Sequence, residues 1–148
     1  ETGQGVAIAT NLREMSKLNV PIVAIITGEG CSGGALGLAV ADRVMMLEHA
    51  YYTVISPEGC ASILWRDAAR FADAAEALKI TSKDLLEFDI IDEEIAEPIG
   101  GAHTDYNVVA DNMKSAIMNA LDELSKKSPE VLKEERYNKF RKMGRFVE

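Results

Sequence analysis

Apolar side chains recur at Val6, Ala9, Leu12 and Met15, and this helical spacing stops at Asn19-Val20-Pro21, where the residue before a proline is pushed out of the helical region. The run that follows, PIVAIIT from Pro21, is continuous and rich in β-branched residues. That is the pattern of a short strand buried on both faces. From Gly33 to about Ala41 the pattern predicts a helix, and RVMML from Arg43 predicts a second buried strand. Strand, glycine loop, helix and strand thus follow one another directly.

Beyond this unit, YYTVIS from Tyr51 reads as another strand, and SPEGCASILWRD has the layout of a helix start. Ser56 is the cap, Pro57 takes the first helical position and Glu58 lies in the first turn. The helix carries Ile63, Leu64 and Trp65, the single tryptophan, which suits a core or an interface. DAAEALKI is helical, and Thr81 with Asp84 resembles a capping box opening SKDLLEF. DIIDEEIAEP supplies a short strand, with Asp89 at a turn position. The loop EPIGGAHTD then leads into a long helix whose apolar face is Val109, Met113, Ala116, Ile117, Ala120, Leu121 and Leu124. Ser128-Pro129 starts a last helix, and Gly144 ends it.

These elements, in 148 residues, imply one α/β domain with a helical tail. With 47% apolar and 27% charged residues the chain is an ordinary folded globular sequence. A formal net charge of -8 disfavours nucleic acid and anionic membranes as partners. No apolar stretch reaches the roughly 18 residues that span a bilayer, and no secretory signal opens the chain, so the cytoplasm is the expected location. The basic run LKEERYNKFRKMGR is interleaved with Glu134 and Glu135 and reads as a solvated helix face. Tyr137, Phe140 and Phe146 on the tail suit an oligomer or the closing of the domain's own core. Cys31 and Cys60 lack metal-ligand or disulfide spacing, and Cys31 reads as a small filler rather than a nucleophile. The amphipathic pattern begins at once after Glu1, which suggests a chain that starts mid-fold.

The densest punctuation is TGEGCSGGALGLAVADRV, with five glycines between Gly28 and Gly37. Two readings stand side by side. Gly33 and Gly37, with Ala41 one turn on, would let the helix lie close to a neighbouring element. Alternatively, the backbone N–H groups of Gly33 and Gly34, in a first helical turn without intrahelical partners, would face an anion or oxyanion. A phosphate loop is disfavoured because no lysine follows the glycines, and a dinucleotide fingerprint lacks its acidic partner. Serine-hydrolase chemistry at Ser32, Ser56 or Ser62 would need one of two histidines, His49 and His103, from unrelated positions.

GEGCSGGALGLAVADRV, YYTVISPEGCASILWRD, AAEALKIT and EPIGGAH, in this order and at these separations, closely resemble the α subunit of bacterial acetyl-CoA carboxylase carboxyltransferase. The likeness runs from about Ile8 to Met143. It implies a crotonase-like fold, a spiral of ββα units, with this chain the carboxyl-terminal half of the subunit. It also implies carboxyl transfer from carboxybiotin, carried on a separate biotin carboxyl carrier protein, to acetyl-CoA. The partner would be a zinc-ribbon β subunit in an α2β2 assembly within an ATP-dependent complex of fatty acid synthesis. The metal would then lie outside this chain.

By the same resemblance, the N–H groups of Gly33 and Gly34 form an oxyanion hole for the ureido oxygen of carboxybiotin. Gly30, Cys31 and Ser32, then Ser56, Glu58 and Gly59, then Gly100, Gly101 and His103, are carried over as substrate-binding candidates. Cys31 stands where the family often has glycine, as does Asp89. Glu58 reads as a helix-start residue before an acid or base, and GGAH either as a turn or as a biotin-facing rim. An enoyl-CoA hydratase is disfavoured because Ala35, Leu36 and Gly37 occupy the stretch where hydratases place a catalytic glutamate. A related acyl-CoA decarboxylase subunit and a non-catalytic assembly module are the alternatives.

Overall fold

The computed structural model describes residues 3–144. Its centre is a twice-repeated ββα unit. The first repeat is β1 (Val23–Ile26), β2 (Glu29–Cys31) and α2 (Ser32–Leu38); the second is β3 (Arg43–Leu47), β4 (Tyr51–Thr53) and α3 (Pro57–Trp65). Each repeat gives its first strand to one sheet and its second to another. β1, β3 and β5 (Glu93–Ile95) form a parallel sheet in the order β1-β3-β5, while β2 and β4 pair in parallel in a two-stranded sheet. Parallel neighbours need a crossover, which α2 provides between the repeats. This is the spiral of ββα units expected for a crotonase-like fold.

β3 is the central strand, and its Val44, Met45, Met46 and Leu47 are at most 2% exposed. Each such burial is worth about 1.5–3 kcal/mol relative to exposure. β1 differs from expectation: VAII is half-buried throughout, because β1 has a neighbour on one side only. The glycine loop also contains an unforeseen strand, β2. It shortens the loop and starts α2 one residue early, while α2 ends at Leu38 instead of near Ala41.

Helix α1 (Gln4–Ser16) has no buried residue despite its periodic pattern. Its Ile8 packs on α2, where Cβ atoms built on Gly33 or Gly37 would lie 3.6 Å from Ile8 Cγ2. The close-packing reading of these two glycines therefore holds, but Ala41 lies outside the helix. After α3 come α4 (Phe71–Leu78) and α5 (Ser82–Glu87), then α6 (Tyr106–Leu124) and α7 (Pro129–Lys142). Cys60, Ala61 and Ala74 form a satellite core with Ile55, Trp65 and Leu78, and the Arg70 guanidinium lies 4.3 Å from the Trp65 ring centre.

Capping follows the sequence closely. Ser56, Thr81, Asp105 and Ser128 each accept a backbone N–H of the helix they open. Asp89 adopts φ 58°, as a turn position requires. α6 turns Val109, Ala116, Ala120 and Leu124 into the core. The basic run is corrected: Leu132 and Arg136 of α7 are buried, and Lys139 bonds Asp92. Helical periodicity brings these members of a charged stretch onto the inner face. Tyr137 is exposed and Phe140 half-buried, while Phe146 lies outside the described residues. Among the described residues, no helix is long and apolar enough to cross a membrane.

Candidate functional site

Two helices begin at one end of the small sheet. Cys31 of β2 is level with Thr53 of β4, and α2 and α3 open directly beyond them. The carboxyl edge of a parallel sheet is where ligands bind in many α/β folds. α3 is closed there by its own cap, since Ser56 Oγ accepts the Gly59 N–H at 3.1 Å. A Cβ on Gly59 would come within 3.0 Å of Ile55 Cγ1 and 3.2 Å of Ser56 Oγ. Ser56 and Gly59 thus engage each other, and Glu58 is exposed in the first turn.

α2 is different. Cys31, in extended conformation at its N-cap, makes no side-chain hydrogen bond to the helix. The N–H groups of Ser32, Gly33 and Gly34 therefore have no intrahelical acceptor. Ser32 has φ 62°, a conformation costing about 1–2 kcal/mol for a residue with a side chain. It turns the chain sharply from strand to helix. Nothing lies within 4 Å of a Cβ built on Gly34, which faces open space, whereas Gly33 faces α1. Gly30 is buried, and its missing side chain makes room for Tyr52: a Cβ would stand 3.1 Å from Tyr52 Cδ2 and 3.2 Å from Ile26 Cγ2.

A cavity of about 540 Å³ adjoins this turn, lined by Ser32, Gly33, Leu36, Tyr52, Thr53 and Phe140 among others. Its walls are mainly apolar. Thr53 Oγ1 donates to the Ile55 carbonyl at 3.0 Å and is engaged within the protein. Burial pushes the Tyr52 phenol above its ordinary range. Cys31 is half-buried beside the turn, and Cys60 is buried in the satellite core.

Gly100, Gly101 and His103 belong to a separate cluster at the carboxyl edge of the larger sheet. Gly100 and Gly101 have φ 93° and 101°, which side-chain-bearing residues rarely adopt. Glu97 holds this turn to the β3–β4 connection. Its Oε1 accepts the His49 N–H at 3.0 Å, and its Oε2 accepts the Ala102 N–H at 2.7 Å and lies 3.0 Å from His49 Nδ1. Burial raises the Glu97 carboxyl, but these contacts outweigh it and hold it below the ordinary carboxylate range. An ionised carboxylate only accepts, so His49 Nδ1 carries the proton.

The two clusters follow strands of different sheets: Ser32 follows β2 of the small sheet, whereas His49 and Glu97, bonded to each other, follow β3 and β5 of the larger one. The His49 ring bonds Glu97, and no serine hydroxyl bonds a histidine among the described residues, so no serine-hydrolase pair is formed there. Among those residues, no group of three or more His, Cys, Asp or Glu is arranged to hold a metal ion. Sequence reasoning missed Tyr52 and Glu97, and weighed His49 only as a partner for a serine. Glu97 lies three positions before Gly100, and asking what satisfies that turn's N–H groups would have raised it.

A spiral of ββα units with an uncapped helix start beside an apolar cavity defines a crotonase-like fold. Transcarboxylase 12S matches with a TM-score of 0.68 at 19% identity, over 84% of this chain and 24% of that one. A Pseudomonas malonate decarboxylase hetero-tetramer, solved with coenzyme A, matches with a TM-score of 0.65 at 14% identity, over 82% and 49%. Residues 1–144 match the family described as acetyl co-enzyme A carboxylase carboxyltransferase-like. The acetyl-coenzyme A carboxylase carboxyl transferase subunit alpha of Geobacter metallireducens is 60% identical over all 148 residues, and that of Protochlamydia amoebophila 55%. This chain belongs to the acetyl-CoA carboxylase carboxyltransferase family, and it spans 46% and 47% of the length of those two relatives.

Proposed function

We propose that the chain forms part of a carboxyltransferase subunit that moves the carboxyl group of carboxybiotin to acetyl-CoA, giving malonyl-CoA for fatty acid synthesis. The observation that carries this reading is the uncapped start of α2, opening on a cavity of suitable chemistry, in a chain 60% identical to a subunit of that name. Carboxybiotin suits the site: the cavity of about 540 Å³, with Gly33 on its lining, is mainly apolar, as its fused rings require, and nothing stands within 4 Å of a Cβ on Gly34. Bound there, it would supply the activated carboxyl group.

The protein's part is electrostatic. The N–H groups of Gly33 and Gly34 donate to the ureido oxygen, where negative charge collects as the carboxyl group leaves, and one such donor is worth about 3–4 kcal/mol in comparable sites. Ser32, Cys31 and Gly30 shape the turn that aims these groups. Glu58, exposed in the first turn of the capped α3, would meet the substrate from there. Gly100, Gly101 and His103 belong to the turn after β5 and would meet the biotin tether or its carrier. A zinc-ribbon β subunit would hold acetyl-CoA, a biotin carboxyl carrier protein would deliver the donor, and an α2β2 assembly within an ATP-dependent, cytoplasmic complex completes the reading.

The test is carboxyl transfer in reverse. The full-length subunit is mixed with its β partner, malonyl-CoA and free biocytin, and acetyl-CoA release is followed with each protein alone as control. Release only from the mixture supports the assignment; silence from a stable complex overturns it.

A further inference from the structure

Three side chains with polar atoms, Ser32, Tyr52 and Thr53, are among those lining the cavity beside α2. Thr53 is committed to the Ile55 carbonyl, and Ser32 is exposed at the turn. Tyr52 is the half-buried one, and burial alone accounts for the rise of its phenol, with no hydrogen bond contributing. Its ring is fixed from behind: Tyr52 is level with Gly30, whose missing Cβ accommodates Cδ2, and Ile26 closes the same contact. Among the described residues no hydrogen bond engages the Tyr52 hydroxyl and no buried side-chain oxygen lacks a partner, so this hydroxyl stays accessible to a ligand in the cavity.

We propose that Tyr52 is a specificity-determining residue of this cavity, accepting a hydrogen bond through its phenol oxygen from the N–H of a cyclic urea bound there. The inference rests on the carboxybiotin reading and extends it. A cyclic urea has one carbonyl oxygen and two ring nitrogens. With the oxygen facing Gly33 and Gly34 and one nitrogen carrying the carboxyl group, a single N–H remains. Leaving that donor unpaired in an apolar cavity would weaken binding, and Tyr52 is the side chain available to receive it. The ring contributes contact area, and the hydroxyl selects ligands that present an N–H.

The test uses the full-length subunit with its β partner and compares wild type with Tyr52→Phe, which keeps the ring and removes only the hydroxyl. The expected result is a rise of about tenfold in KM for biocytin. KM for malonyl-CoA should stay within about twofold, and Tm should be unchanged. An unaltered KM for biocytin overturns the proposal, as does a parallel rise in both KM values with a lowered Tm, which would mark Tyr52 as merely structural. Wild-type complex that transfers no carboxyl group removes the functional reading itself, a different outcome from active wild type and an indifferent variant.

Discussion

Arg136 and Asp42 form a buried bidentate pair: Nε donates to Oδ1 and Nη2 to Oδ2, both at 2.8 Å, with the two side chains 2% and 3% exposed. The other three guanidinium N–H groups donate to backbone carbonyls, Nη1 to Met15 and Leu18 and Nη2 to Val20, each at 3.0 Å. Asp42 Oδ2 also accepts the Ile22 N–H at 2.7 Å. One side chain of α7 therefore ties together the end of α1, the start of β1 and the approach to β3. Buried pairs of this kind add little over apolar packing, but breaking one leaves a charge without compensation. Arg136→Met should cost about 3–5 kcal/mol, read from urea unfolding of the full-length subunit. Arg136→Lys should recover only part, because an ammonium has three donors where five are used. A loss no larger than the ~1 kcal/mol of a surface pair would mean that water reaches Asp42.

Glycines of the same loop should separate into two behaviours. Gly34→Val adds side chain where no atom stands within 4 Å, so Tm should hold while carboxyl transfer falls by about a hundredfold as the approach to the N–H groups is blocked. Gly30→Ala meets Tyr52 and Ile26 at 3.1 and 3.2 Å, and overpacking there should cost about 1–3 kcal/mol of stability. Thermal melts beside activity assays distinguish the two, and full activity in Gly34→Val would remove the oxyanion role.

Glu97 gives a pH signature. Its carboxyl is held below the ordinary value of 4.5 in the folded protein, so the unfolded chain binds its proton at a higher pH. Stability from this group is therefore present above the unfolded pKa and lost as pH falls through the folded one. In Glu97→Gln the amide nitrogen must face the N–H of either His49 or Ala102, donor against donor. Tm recorded from pH 3 to 7 should show wild type ahead above about pH 5, with the gap closing toward pH 3. A gap independent of pH would mean that Glu97 acts through shape alone.

The cap of α3 is a local test. Ser56→Ala removes the acceptor of the Gly59 N–H and should lower stability by about 1 kcal/mol, as loss of a serine cap commonly does. Ser56→Asp should restore it. An effect confined to activity would point to ligand contact by Ser56 in place of capping.

Much of the chain's order is local and therefore legible in the residues themselves. The caps at Ser56, Thr81 and Ser128, the left-handed turn at Asp89 and the inward face of α6 depend on neighbours within a few positions, and each stands where its pattern predicts. The paired glycines and the order of the motifs likewise carried the family. Contacts between distant segments were not legible. Arg136 meets Asp42 across 94 positions and Glu97 meets His49 across 48, and nothing near either residue distinguishes a buried partner from a solvated charge. The same limit hid β2, whose three residues become a strand by pairing with Tyr51, Tyr52 and Thr53. Sequence by itself determined the helix starts, the turns and the candidate donors at Gly33 and Gly34. Tertiary structure alone decided which charges lie inside, which glycine faces open space and which tyrosine meets the cavity, because burial is a property of what the rest of the chain brings alongside.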